Sequence, residues 1–120
     1  MVKVMVVEDT PSERELICIY LREGGYEVVS AVDGQEGLKK FEQSKPQVVV
    51  TDLVMPGMSG LEMCRAIKKS EQKVPVIACT SKNSDLDRMW GMKQGINVYL
   101  TKPFSREELL QAVRSLAGVG

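Results

Sequence analysis

Val48-Val49-Val50-Thr51-Asp52-Leu53-Val54-Met55-Pro56-Gly57 is the stretch whose reading decides the fold. A β-branched run with no polar alternation reads as a strand buried on both faces, which is the signature of a parallel sheet. A lone carboxylate stands where that strand runs out, and Pro56-Gly57 begins a turn. Burying a carboxylate is costly unless a cation or hydrogen-bond donors meet it, so Asp52 predicts a partner nearby or a chemical task.

Outward from this stretch, a strand pattern followed by a helix pattern repeats five times, with no linker or low-complexity segment. Strands are predicted over Val2 to Val7, Glu27 to Ala31, the stretch from Val48, Val76 to Cys79, and Asn97 to Thr101. Thr10-Pro11-Ser12-Glu13, Asp33-Gly34-Gln35-Glu36, Ser59-Gly60-Leu61-Glu62 and Ser105-Arg106-Glu107-Glu108 share one spacing. In each, a capping residue precedes by three an acid that can reach back to it, so four of the five helices should open with a reciprocal cap. Gly24-Gly25 stops the first helix, and Pro46 returns the chain to the central strand. Another helix is predicted from about Ser84 to Gln94, with Leu86, Met89 and Met92 as its core stripe and Trp90 on the flank of that stripe. Strands alternating with helices give an α/β class with a parallel sheet covered on both faces.

The bulk composition narrows the function. With 120 residues, 43% hydrophobic and 27% charged, residues 1–120 read as a single globular domain with a real core. Lys+Arg and Asp+Glu are equal at 16 each, leaving no net basic field for nucleic acid or anionic lipid. The apolar run at Val4 to Val7 is too short for a signal peptide or membrane span, so a soluble cytoplasmic protein without membrane insertion is expected. Cys18, Cys64 and Cys79 form no CxxC pair and read as small core residues in a reducing compartment. The absence of histidine removes imidazole metal sites and catalytic triads.

In a parallel sheet the strands end on one edge, where ligands bind. The residues following the apolar runs are Glu8-Asp9, Asp52, Thr80-Ser81 and Lys102-Pro103. Like charges about 4 Å apart repel by roughly 4 kcal/mol at an effective dielectric near 20, so three carboxylates there need neutralising. A hard divalent cation with oxygen ligands, Mg²⁺, meets that need, and Lys102 adds a further positive charge. Together they supply a carboxylate nucleophile, a metal, a cation and a hydroxyl donor, the parts phosphoryl transfer uses; Asp52, central and alone, is the nucleophile candidate.

Glu8-Asp9, Asp52 with Met55-Pro56-Gly57, Thr80-Ser81, Tyr99 and Lys102-Pro103, in that order, resemble the receiver domain of bacterial two-component response regulators. The resemblance runs from Val2 to about Leu116. It implies a flavodoxin-like (βα)5 fold, doubly wound, with strand order 2-1-3-4-5 and a cis Lys102-Pro103 bond. It implies that Asp52 takes a phosphoryl group from a sensor histidine kinase, and that Glu8, Asp9, Asp52 and the Val54 backbone carbonyl organise Mg²⁺, Glu8 through water. Thr80, Ser81 and Lys102 would contact the phosphoryl oxygens. Thr80 and Tyr99 would then act as a switch, Tyr99 rotating as Thr80 moves toward the phosphate, and so alter a face made by the fourth helix, fifth strand and fifth helix. Chemistry would be confined to the chain's own phosphorylation and dephosphorylation. Val54, two residues after Asp52, cannot hydrogen-bond an attacking water, which implies slow dephosphorylation; Lys82 holds the corresponding place after Thr80.

Because the sequence ends at residue 120, output is expected through a downstream protein target rather than an attached domain, without direct nucleic-acid contact. Trp90 and Tyr99 are the candidates for that partner face. The run from Trp90-Gly91 to Lys102-Pro103 further resembles receivers of type IV pilus twitching-motility systems, with chemotaxis the neighbouring role. Two other readings compete. A haloacid dehalogenase-type phosphatase wants a second Asp where Val54 stands, and a phosphorylation-independent scaffold would keep the pocket without a kinase.

Overall fold

The computed structural model describes residues 1–71 and 73–117; Gln72 and the predicted domain's last residues, 118–120, lie outside the described residues. Strands β1 (Lys3–Val7), β2 (Glu27–Ala31), β3 (Val48–Thr51), β4 (Val76–Thr80) and β5 (Val98–Thr101) alternate with α1 (Pro11–Glu23), α2 (Gly34–Ser44), α3 (Gly60–Ser70), α4 (Asp85–Lys93) and α5 (Arg106–Ala117). All pairings are parallel and the order is β2-β1-β3-β4-β5. The flavodoxin-like topology and strand order expected above are therefore observed, and Lys102-Pro103 is cis.

Burial explains the composition of the strands. Val4, Met5, Val6 and Val7 of β1 and Val48, Val49 and Val50 of β3 are essentially inaccessible. Successive side chains enter opposite layers. Met5, Val7 and Val49 pack with Phe41, Met63 and Ile67 of α2 and α3. Val4, Val6 and Val50 pack with Ile17 and Leu21 of α1 and Leu109 and Val113 of α5. Cys18, Cys64 and Cys79 are buried free thiols, as read from their apolar surroundings.

The reciprocal caps are only partly as predicted. Ser59 with Glu62 and Ser105 with Glu108 form both bonds. Asp33 accepts from the Glu36 N–H, but the Glu36 carboxylate takes the N–H of Val32, one residue earlier than a reciprocal cap requires. Thr10 makes no side-chain cap, its N–H donates to Glu8 Oε2, and the Glu13 carboxylate pairs with Lys102. An unforeseen box opens α4, where Ser84 and Asp87 cap each other.

Helix α4 also corrects the predicted core stripe. Leu86, Met89 and Met92 are 73%, 56% and 47% exposed, and Trp90, expected on the flank, is 54% exposed. Among the residues of α4 only Gly91 is buried. The apolar residues have helical spacing, but at about 100° per residue the side turned to the sheet carries Ser84, Asp87, Arg88 and Gly91. The Tyr99 ring fills the space on that side: a Cβ at Gly91 would lie 3.0 Å from it, too close without a shift.

Candidate functional site

Backbone pairing delivers the site. The Asp52 N–H donates to the Val7 carbonyl (3.1 Å) and the Lys102 N–H to the Thr80 carbonyl (2.8 Å), so each loop leaves the sheet level with its neighbour. Helix α3 starts directly beneath: Gly60 N–H donates to Leu53 O at 3.1 Å. Any Cβ at Gly60 would collide with the Asp52 carbonyl oxygen, so only glycine lets α3 approach the strand end this closely.

The side chains then converge. The Lys102 ammonium lies 2.8 Å from each of Asp52 Oδ2, Glu8 Oε1 and Glu13 Oε1. Carboxylate oxygens of Glu8, Asp9 and Asp52 all fall within 4.8 Å of one another. The remaining Asp52 oxygen, Oδ1, accepts the Val54 N–H at 3.1 Å. Glu8 Oε2 accepts the Thr10 N–H at 3.1 Å, so both Glu8 oxygens are engaged. Asp9 has no hydrogen-bond partner among the described residues, and it lines an open cleft of about 560 Å³ with Asp52, Val54, Ser81, Lys102 and Glu13.

The electrostatics follow from crowding. Burial raises Glu8 above the ordinary carboxylate range, only partly opposed by Lys102 and the Thr10 N–H. Burial alone would lower Lys102, yet Asp52, Glu13 and Glu8 outweigh it and hold the ammonium above the ordinary lysine range. Four acids around one ammonium leave a deficit of positive charge, and three of them offer hard oxygens close together. That donor set fits a small divalent cation with oxygen preference.

The predicted residues are not all equally placed. Glu8, Asp9, Asp52, Lys102 and Ser81 meet at the cleft. Thr80 is fully buried at the end of β4, and its hydroxyl accepts the Lys82 N–H at 3.2 Å, so it is next to the cleft but does not line it. Tyr99 is only 6% exposed, with its hydroxyl donating to the Lys82 carbonyl at 2.7 Å and Arg88 stacked 5.0 Å from its ring centroid. Trp90 is on the outer side of α4, away from the acidic cluster's lining. Glu13 was missed, although it follows Asp9 by one helical turn at the start of α1 and so faces the same edge.

Comparison with known proteins agrees with this geometry. Residues 4–114 match the response regulator receiver domain family. Protein PilH of Pseudomonas aeruginosa is 37% identical over 98% of this chain and 100% of its own length. The chain spans only about half the length of other curated relatives; for the Bacillus subtilis alkaline phosphatase synthesis transcriptional regulatory protein PhoP it is 48%, at 35% identity. Among solved structures, Vibrio cholerae chemotaxis protein CheY4 superposes with a TM-score of 0.91 at 32% identity, covering 97% of this chain and 98% of that one. The receiver domain of sensor histidine kinase PA1611 from Pseudomonas aeruginosa, with magnesium in its active-site cleft, gives 0.89 at 31% identity, covering 97% of both chains.

Proposed function

We propose a function from the premise that this chain belongs to the response regulator receiver domain family. It acts as a single receiver unit in which Asp52 accepts a phosphoryl group from the phosphohistidine of a sensor histidine kinase. The phosphorus–nitrogen bond of the donor breaks, a bond from phosphorus to an Asp52 oxygen forms, and the imidazole leaves with the electron pair. The observation that carries this reading is Asp52 Oδ2 held 2.8 Å from Lys102 at the wall of an open cleft, within reach of two further carboxylates.

Glu8, Asp9, Asp52 and the Val54 backbone carbonyl would hold Mg²⁺, with Glu8 acting through water because both its oxygens are engaged. The ion supplies charge neutralisation for the incoming phosphoryl oxygens. Lys102, Ser81 and, after it moves, Thr80 contact those oxygens. Beyond catalysing its own phosphorylation and dephosphorylation the chain performs no reaction. Val54 is 56% exposed beside Asp52 and offers an attacking water no side-chain hydrogen bond, so the acyl phosphate is long-lived. Val54→Asn should hasten its loss in a dephosphorylation time course.

Thr80 and Tyr99 both hold Lys82, one through its N–H and the other through its carbonyl. A Thr80 drawn toward the phosphoryl group therefore disturbs the seat of Tyr99 beneath α4 and alters the face made by α4, β5 and α5. Exposed Trp90 and its neighbours on α4 supply the partner face for a downstream protein target, whereas Tyr99, expected on that face, is buried beneath them and acts on it only through the seat of α4. Likeness to the chemotaxis protein CheY4 supports a role in chemotaxis signalling, with twitching motility the neighbouring role and the cytoplasm the proposed location. No helix among the described residues is long and apolar enough to cross a membrane, and neither membrane insertion nor direct nucleic-acid binding is part of this reading.

Beryllofluoride, which mimics the aspartyl phosphate, tests the proposal. With Mg²⁺ it should bind the wild-type protein and change its Trp90 or Tyr99 fluorescence, and Asp52→Asn should abolish binding. Equal binding by Asp52→Asn, or none by the wild type, would reject it.

A further inference from the structure

Lys102 has three ammonium N–H groups, and three carboxylates meet them at 2.8 Å each, so a phosphoryl oxygen can reach this cation only by displacing one. The three are not equally held. Glu8 is only 1% exposed, and its second oxygen is fixed by the Thr10 N–H. Asp52 is the residue that receives the group, and its second oxygen is fixed by the Val54 N–H. The Glu13 side chain is 41% exposed, stands on the first turn of α1, and has Lys102 as its partner among the described residues.

Resting on the receiver reading, we infer that Glu13 is a positioning residue: its carboxylate holds the third N–H of Lys102 in the place a phosphoryl oxygen takes, and it is released when the group arrives. Glu13 forms no bond to phosphorus. With acetyl phosphate as donor, the acyl oxygen–phosphorus bond breaks, acetate leaves with the electron pair, and the Asp52 oxygen–phosphorus bond forms. Glu13 only exchanges its hydrogen bond for solvent. It therefore opposes phosphorylation in two ways, by occupying Lys102 and by repelling an anionic donor at the cleft mouth. It also aims the ammonium before any anion is bound.

The test measures the rate of Asp52 phosphorylation by acetyl phosphate with Mg²⁺, by mass spectrometry of the intact protein, in wild type, Glu13→Gln and Glu13→Asp. Glu13→Gln should react about three- to tenfold faster, the size that losing one partly screened charge beside the reacting group gives. Glu13→Asp keeps the charge but shortens the reach by one methylene, so it should also react faster, by about twofold or more on the same scale. A merely repulsive charge would leave the Asp variant at the wild-type rate, and a structural role for the helix start would slow both variants. Either result overturns the inference, as does an unchanged Gln variant. A wild type that takes no phosphoryl group would instead sink the receiver reading itself, and a labelled wild type beside unaltered variants would sink only the role of Glu13.

Discussion

Helices α3 and α4 open with the same device, a serine and an acid capping each other, yet they meet the sheet differently. Helix α3 buries Gly60, Met63, Cys64 and Ile67; α4 buries Gly91 alone and leaves four large apolar side chains in water. A cap fixes where a helix starts and says nothing of which side it turns inward. The first helix is a wall of the core, and the second rests on one aromatic ring.

The strongest way to break this contrast is to truncate equivalent apolar residues. Ile67→Ala should cost about 2–5 kcal/mol in chemical denaturation, the range for a fully buried aliphatic side chain. Met89→Ala should cost less than about 0.5 kcal/mol, as surface substitutions do. Similar losses for both would mean that α4 is seated like α3. Next comes Gly91→Ala, which forces the Tyr99 ring to shift and should destabilise by about 1–3 kcal/mol despite alanine's helix preference. A neutral or stabilising result would show that α4 lifts freely.

Removing the caps sharpens the comparison further. Ser59→Ala and Ser84→Ala should each cost about 1 kcal/mol of local stability. Hydrogen exchange should spread the Ser84→Ala effect over α4 alone, whereas Ser59→Ala should loosen the core beside it. The smallest effect is a titration. Burial raises the Tyr99 hydroxyl above its ordinary value of 10.0, helped by Asp87 and opposed by Arg88. The folded state thus retains a proton that the unfolded chain has released, so stability falls as pH rises from 10.0 through the folded value. Ultraviolet absorbance should show the Tyr99 phenol ionising late, and in Gly91→Ala that delay should shrink.

Most of the fold was legible because period and punctuation agree. Runs such as Val48 to Val50 have no polar face, and Pro-Gly, Gly-Gly and serine-acid signals bound the helices. Asp9, Asp52 and Lys102 were legible as a cluster because parallel strands all finish on one edge. Glu13 satisfied a capping pattern on paper, yet its carboxylate pairs with Lys102 while the Thr10 N–H it would have taken is held by Glu8. The apolar stripe of α4 had the right period, but the sheet-facing side was set by a small residue, and hydrophobicity carries no mark for Gly91. Thr80 and Tyr99 stand in β4 and β5, and their burial depends on which neighbouring elements cover those strand positions, which the pattern of the strands themselves does not encode.

The link between Thr80 and Tyr99 passes through the main chain of Lys82, so the identity of that side chain is irrelevant to it. For the proposed switch, alanine at position 82 would leave both of these hydrogen bonds in place. A proline there deletes the amide hydrogen that Thr80 receives, and would sever the proposed coupling while the hydroxyl and the ring at its two ends stay intact.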